Sequence, residues 1–151
     1  MDFQSVVCVL GNELYGIDIS IVQGIEKEQQ IVRVPNTSDY IKGIMNLRGD
    51  IIPIYGLRKK FGMPDHEGDV QYVIVKVDDM LLAIEVDDVG EIIHADETMT
   101  YDAPRICISN NTRYVDKVIN SNGKLIIVLD VSKLLSDEEK DGIENLITTS
   151  K

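Results

Sequence analysis

A mainly β fold built twice from one unit, as two small barrels or sandwiches with short helices at their ends, is what this sequence predicts. Three features carry the prediction: a pattern that repeats in register, turn dipeptides set between apolar runs, and alternation along those runs. Laid over Val70–Ile92 at an offset of 67 positions, Phe3–Ile25 matches Gln4 to Gln71, Val6 to Val73, Leu14 to Leu81, Ile17 to Ile84, Val22 to Val89 and Ile25 to Ile92. A second block repeats at an offset of 74, with Ile44 over Val118, Asn46 over Asn120, Gly49 over Gly123 and Ile52 over Ile126. Two blocks in one order point to a duplicated unit of roughly 60 residues. The division that follows is a first repeat over residues 1–66, a second over 67–136, and a C-terminal helix and tail over 137–151. Strands of the two repeats are free to interleave.

Taken in order, Ser5–Leu10 and Glu13–Asp18 flank Gly11-Asn12, a two-residue hairpin loop. Val70–Val77 and Leu81–Val86 repeat the hairpin around Asp78-Asp79-Met80. After each second strand the apolar residues fall every third position: Ile19, Val22, Ile25, and then Val86, Val89, Ile92. That spacing predicts a single helical or 3₁₀ turn in place of a continuing strand. Ile31–Val34 reads as a short strand stopped by Pro35, and Asn36-Thr37-Ser38 offers N-caps for a short helix reaching Ile44. Arg48-Gly49-Asp50 turns between strands Met45–Leu47 and Ile51–Tyr55; Asn122-Gly123 turns between Val118–Asn120 and Leu125–Leu129. Brief helices follow at Leu57–Phe61 and Val131–Leu135, with Gly62–Gly68 as the linker and Ile93–Tyr114 as a longer loop. Ser136 and Glu139 form a capping box for a last helix, Asp137–Ile147, whose Ile143, Leu146 and Ile147 share one face.

A chain of 151 residues with 44% apolar content can bury a core. No apolar run approaches the roughly 20 residues that cross a bilayer. The formal charge of −11 argues against nucleic acid and against anionic membrane. Its densest basic run, Arg58-Lys59-Lys60, reads as the solvated face of a short helix. Met-Asp-Phe-Gln at the start lacks the basic flank and apolar stretch of a signal peptide. Cys8 and Cys107 sit in apolar runs as buried free thiols, so the expected compartment is the cytosol.

Catalysis needs polar groups that converge, and no such set is legible. His66 and His94 read as exposed loop residues without a role. The pairs Asp78-Asp79 and Asp87-Asp88 read as solvated turns. No phosphate-binding glycine motif and no nucleophile elbow occurs. The expectation is a protein without catalytic residues, cofactor or metal. The competing reading is a small β-barrel enzyme or ligand-binding domain that uses the cleft between barrels.

The segment Tyr40-Ile-Lys-Gly-Ile-Met-Asn-Leu-Arg-Gly-Asp-Ile-Ile-Pro-Ile resembles the signature of the CheW family of bacterial chemotaxis coupling proteins. The resemblance runs over residues 3–135, through Tyr15-Gly16-Ile17-Asp18-Ile19, Val34-Pro35, Val86-Asp87-Asp88-Val89 and Leu129-Asp130-Val131. It implies two SH3-like five-stranded barrels around a shared apolar groove. It also implies a non-enzymatic adaptor that couples the cytoplasmic tips of chemoreceptors to the regulatory domain of the histidine kinase CheA. Such a protein is cytoplasmic, is recruited to receptor arrays, and does not itself insert in the membrane.

The implied receptor groove comprises Val6, Ile19, Val22, Ile25, Val86, Val89 and Ile92. These residues either line opposite walls of one seam or pack barrel on barrel. The kinase-facing or loop-shaping patch comprises Tyr40, Ile44, Met45 and Arg48. Three departures from the family pattern stand out. Gly24 sits where many members have Glu, which leaves Arg48 either unpaired or paired with Glu26. Ala83 replaces a usual glycine, and Asp116-Lys117 stands where glycine is common.

Overall fold

Two apolar strands, one in each repeat, are buried on both faces and organise everything else. The structure, a computed structural model, describes residues 2–35, 37–103 and 114–142. Its elements are β1 (Phe3–Leu10), β2 (Glu13–Asp18), β3 (Val22–Lys27), β4 (Ile41–Leu47), β5 (Asp50–Gly56), α1 (Leu57–Lys60), β6 (Gln71–Val77), β7 (Met80–Val86), β8 (Asp88–Ala95), β9 (Thr100–Asp102), β10 (Val115–Ser121), β11 (Lys124–Leu129) and α2 (Val131–Leu134). They form one sheet in the order β8-β1-β2-β11-β10-β9 and another in the order β3-β6-β7-β5-β4. Each sheet draws strands from both repeats.

The period-2 alternation of a strand sends neighbouring side chains to opposite faces. On β1, Val6, Cys8 and Leu10 enter a core that also holds Val73, Val75, Val77, Ile84 and Val86 of the other sheet. Val7 points the other way, onto Ile93, Ala95, Ile119, Ile126 and Val128. On β6, Tyr72 and Ile74 likewise turn from the shared core toward Met45, Ile52, Ile54 and Ala83. One core therefore joins the sheets and one lies behind each. Strands that face two cores read as unbroken apolar runs, as Val6–Leu10 and Tyr72–Val75 do.

The duplication holds down to individual pairs. Val6 lies opposite Ile92 and Cys8 opposite Val89, with a bulge between. At an offset of 67, Val73 lies opposite Ile25 and Val75 opposite Val22, again with a bulge. The parallel contacts Val128 to Gly16 and Leu129 to Ile17 recur as Ile54 to Ala83 and Tyr55 to Ile84. The turns repeat too: Arg48 and Gly49 have φ of 53° and 92°, Asn122 and Gly123 have 53° and 88°. In each, an asparagine side chain (Asn46 or Asn120) accepts the glycine N–H at 2.9 Å.

Several sequence expectations change. The every-third spacing of Val89 and Ile92 belongs to strand β8, because the bulge inserts one residue opposite the two-residue step from Cys8 to Val6. The first repeat does have a 3₁₀ turn, Ile19–Ile21, capped by the Asp18 carboxylate on Ser20 N–H at 2.9 Å, but Val22 and Ile25 then continue as β3. The helix expected to reach Ile44 is strand β4 instead: Ile41, Gly43 and Met45 alternate inward. Gly43 lets Val32 cross it closely, since a Cβ there would meet Val32 O at 2.4 Å. Ile31–Val34 is reduced to a single bridge from Val32 to Ile44.

In the region Ile93–Tyr114, β8 ends, a 3₁₀ turn Glu97–Met99 forms and β9 follows; residues 104–113, with Cys107, lie outside the described residues. The capping box is present, Glu139 N–H donating to Ser136 Oγ at 3.1 Å and Ser136 N–H to Glu139 Oε1 at 3.0 Å. Residues 137–142 are helical, and the apolar face proposed for Ile143–Ile147 lies outside the described residues.

Candidate protein-binding surfaces

Strands β3 and β8 are edges, and the bulge on each decides what the seam between the sheets presents. Ile92 and Val89 share a face with Val6 and Cys8; Ile25 and Val22 share one with Val73 and Val75. All four partners belong to the core that joins the sheets. Ile19, Val22 and Val89 pack against that core half-buried, while Ile25 and Ile92 run off its margins, 44% and 54% exposed. Val6 and Val86 are buried within it, so they shape the seam without being open to contact. Val89 N–H also donates to Gln71 Oε1 at 2.7 Å, which ties β8 to the second sheet.

The signature segment spans β4 and its turn. Met45 is a core side chain, turned inward by the alternation of β4, and so cannot meet a partner. Tyr40 and Ile44 are half-buried. Lys60 Nζ stands 4.7 Å over the Tyr40 ring. Arg48 is the outward group, its side chain 82% exposed. Of the two alternatives for Arg48 the structure has the pairing with Glu26, through a single contact, Nη2 to Glu26 Oε1 at 3.3 Å. An exposed pair of this kind contributes under about 1 kcal/mol.

The left-handed backbone at Arg48 suits asparagine, the residue at the matching turn of the second repeat. Arg48→Asn is therefore expected to keep stability within about 0.5 kcal/mol of wild type by urea denaturation. It should still weaken assembly with signalling partners in a pull-down. Undiminished assembly would show that the exposed guanidinium has no binding role.

A third cluster was not legible in the sequence. Asp87, expected in a solvated turn, is buried and receives Arg58 Nε at 2.6 Å, Arg58 Nη2 at 2.5 Å and Gly11 N–H at 2.7 Å. Arg58 accordingly does not belong to a freely solvated basic face. His66, expected to be idle, places Nδ1 3.5 Å from Asp87 Oδ2, and His94 places Nε2 3.2 Å from Asp2 Oδ2. No local signal marks the pairing of Arg58 with Asp87, which are 29 positions apart.

Burial raises the Asp87 pKa, but the Arg58 fork and the Gly11 N–H outweigh it and hold the carboxyl below its usual 3.8. A carboxylate whose folded pKa is depressed stabilises the fold above its unfolded pKa, and that stability is lost as pH falls through the folded value. Urea midpoints measured from about pH 5 downward should therefore drop for wild type, and less steeply for Asp87→Asn. Matching slopes would mean that Asp87 does not contribute to acid unfolding. The Cys8 thiol is pushed up to about 12 by burial, so it stays protonated and inert. Among the described residues no group of His, Cys, Asp and Glu could hold a metal ion, and no helix is long and apolar enough to cross a membrane.

A duplicated β scaffold that offers an apolar seam and a projecting turn belongs to the class of protein-binding modules. The comparisons with known proteins agree. A family model described as the CheW-like domain matches residues 4–139. The chain is 35% identical over 142 residues to the chemotaxis protein CheW of Klebsiella aerogenes, covering 93% of this chain and 86% of that one. It is 35% identical over 150 residues to the CheW of Treponema pallidum, covering 95% and 88%. The crystal structure of the scaffolding protein TtCheW from Thermoanaerobacter tengcongensis superposes with a TM-score of 0.82 at 32% identity, over 92% of this chain and 96% of that one. The chain belongs to the CheW-like domain family, and with it to the coupling scaffolds of chemotaxis.

Proposed function

We propose that the protein is a non-enzymatic adaptor that holds the cytoplasmic tip of a chemoreceptor and the regulatory domain of a CheA-type histidine kinase at the same time. It acts in the cytoplasm, at membrane-associated receptor arrays. The observation that carries this reading is the seam, where equivalent residues of the two repeats border one core from two edge strands. Ile19, Val22, Ile25, Val89 and Ile92 receive the apolar stripe of a receptor helix, with Val6 and Val86 beneath them. Tyr40, Ile44 and Arg48 form the kinase-facing patch, and Met45 supports it from within. Residues 1–66 and 67–136 work as one two-barrel unit with exchanged strands, and residues 137–151 as its C-terminal helix and tail.

Calorimetric titration of the full chain with a soluble receptor cytoplasmic hairpin, and separately with the kinase regulatory domain, tests the reading. Saturable binding of each is expected. Binding of neither, or turnover of a small molecule in the interbarrel cleft, would overturn it.

A further inference from the structure

Asp87 is the one residue between β7 and β8. Its N–H donates to Val9 O at 3.0 Å, and its carboxylate collects the Arg58 fork and the Gly11 N–H. Arg58 Nη1 donates in turn to Pro64 O at 2.7 Å, and Met63 N–H to Arg58 O at 2.8 Å. The Arg58 and Asp87 side chains are only 15% and 7% exposed. A single ion pair therefore joins the β1–β2 turn, helix α1, the linker after it and the start of β8. The duplication does not repeat the pair, which itself bridges the two repeats. The position 67 before Asp87 is Ser20, inside the 3₁₀ turn, and the position 74 after Arg58 is Ser132.

Strand β8 starts at the next residue, and Val89 opens its apolar wall. As an edge strand, β8 has a backbone ladder to β1 alone, broken by the bulge, and beyond it the single Val89 N–H contact to the Gln71 side chain. Its placement therefore depends on how it leaves β7. We propose that Arg58 and Asp87 are positioning residues for the seam: their part-buried fork fixes the exit of β8, and so sets the wall of Val89 and Ile92 against that of Val22 and Ile25. The proposal rests on the assignment of the seam to a receptor helix. Geometry, not charge alone, is what the pair supplies. A bidentate guanidinium holds a carboxylate in one orientation, whereas a lysine ammonium in its place is a mobile point charge.

The test uses the full chain as wild type, Arg58→Lys and Asp87→Asn. Amide hydrogen exchange is read by segment, and affinity for a soluble receptor cytoplasmic hairpin by calorimetry. In both variants, exchange of the amides at 89–92 should accelerate about tenfold more than exchange of those in β10 and β11. The hairpin Kd should rise by about tenfold, with affinity for the kinase regulatory domain unchanged. Arg58→Lys keeps the charge, so it separates the fork from the ion pair. Wild-type hairpin affinity in either folded variant overturns the proposal, as does equal acceleration in every strand, which marks loss of global stability alone. If wild type itself fails to bind the hairpin, the seam assignment falls and the proposal falls with it. If wild type binds and the variants bind equally well, only the positioning role falls.

Discussion

Val89→Asp, and in parallel Val22→Asp, should lower affinity for a receptor helix on the order of a hundredfold or more. Both residues are half-buried beside the core that joins the sheets, one opposite Cys8 and the other opposite Val75. In the free protein a carboxylate at either place still reaches water, so the fold should survive. A docked helix removes that water. The carboxylate must then lie unpaired against apolar side chains or take up a proton, at a cost of at least a few kcal/mol. Each 1.4 kcal/mol is about tenfold in the equilibrium constant, which gives the expected size. Binding of the kinase regulatory domain should change by no more than about twofold, because the variants leave Tyr40, Ile44 and Arg48 untouched. Calorimetry with the two partners checks this, and equal losses for both would show that the seam and the signature patch are one surface.

The second large effect concerns stability. Asp87→Ala removes the carboxylate from a part-buried guanidinium and leaves Gly11 N–H without that acceptor. Loss of one member of a fully buried ion pair costs about 3–5 kcal/mol; with the Arg58 side chain still 15% exposed, about 1.5–3 kcal/mol is expected here. The urea midpoint should fall accordingly with an unchanged m-value. Replacing Arg58 in the same chain by Met should recover much of the loss, since an apolar side chain of similar reach needs no partner. A double variant no more stable than Asp87→Ala alone would mean that the cluster stabilises through packing, with little contribution from the charges.

Much of the strand order follows from residues that act locally. The glycine-containing turns, the period-2 runs and the capping box each state their conformation within a few residues, and each is present. What misled was spacing produced by long-range pairing. The three-residue step from Val89 to Ile92 reads as a helical turn, yet it comes from a bulge that exists because β8 lies on β1. In the same way, the stretch up to Ile44 looks able to continue a helix from its caps, until Val32 crosses Gly43 and fixes it in strand β4. The candidate site divides along the same line. Val22, Ile25, Val89 and Ile92 could be named from the repeat, because duplication makes equivalence visible. Glu26 could be named as one alternative for Arg48, and that pair is present; the burial of Met45 depends on which face β4 turns inward, and Arg58–Asp87 on a contact across distant segments.

The most direct measurement is whether both partners sit on one chain together. The protein is first saturated with a soluble receptor cytoplasmic hairpin, and the kinase regulatory domain is then titrated in by calorimetry, with light scattering on the eluted complex. Bridging through two separate surfaces predicts a complex containing all three components, and a kinase-domain affinity in the saturated protein of the same order as in the free one. Displacement of the hairpin by the kinase domain, with no three-component complex, would contradict it.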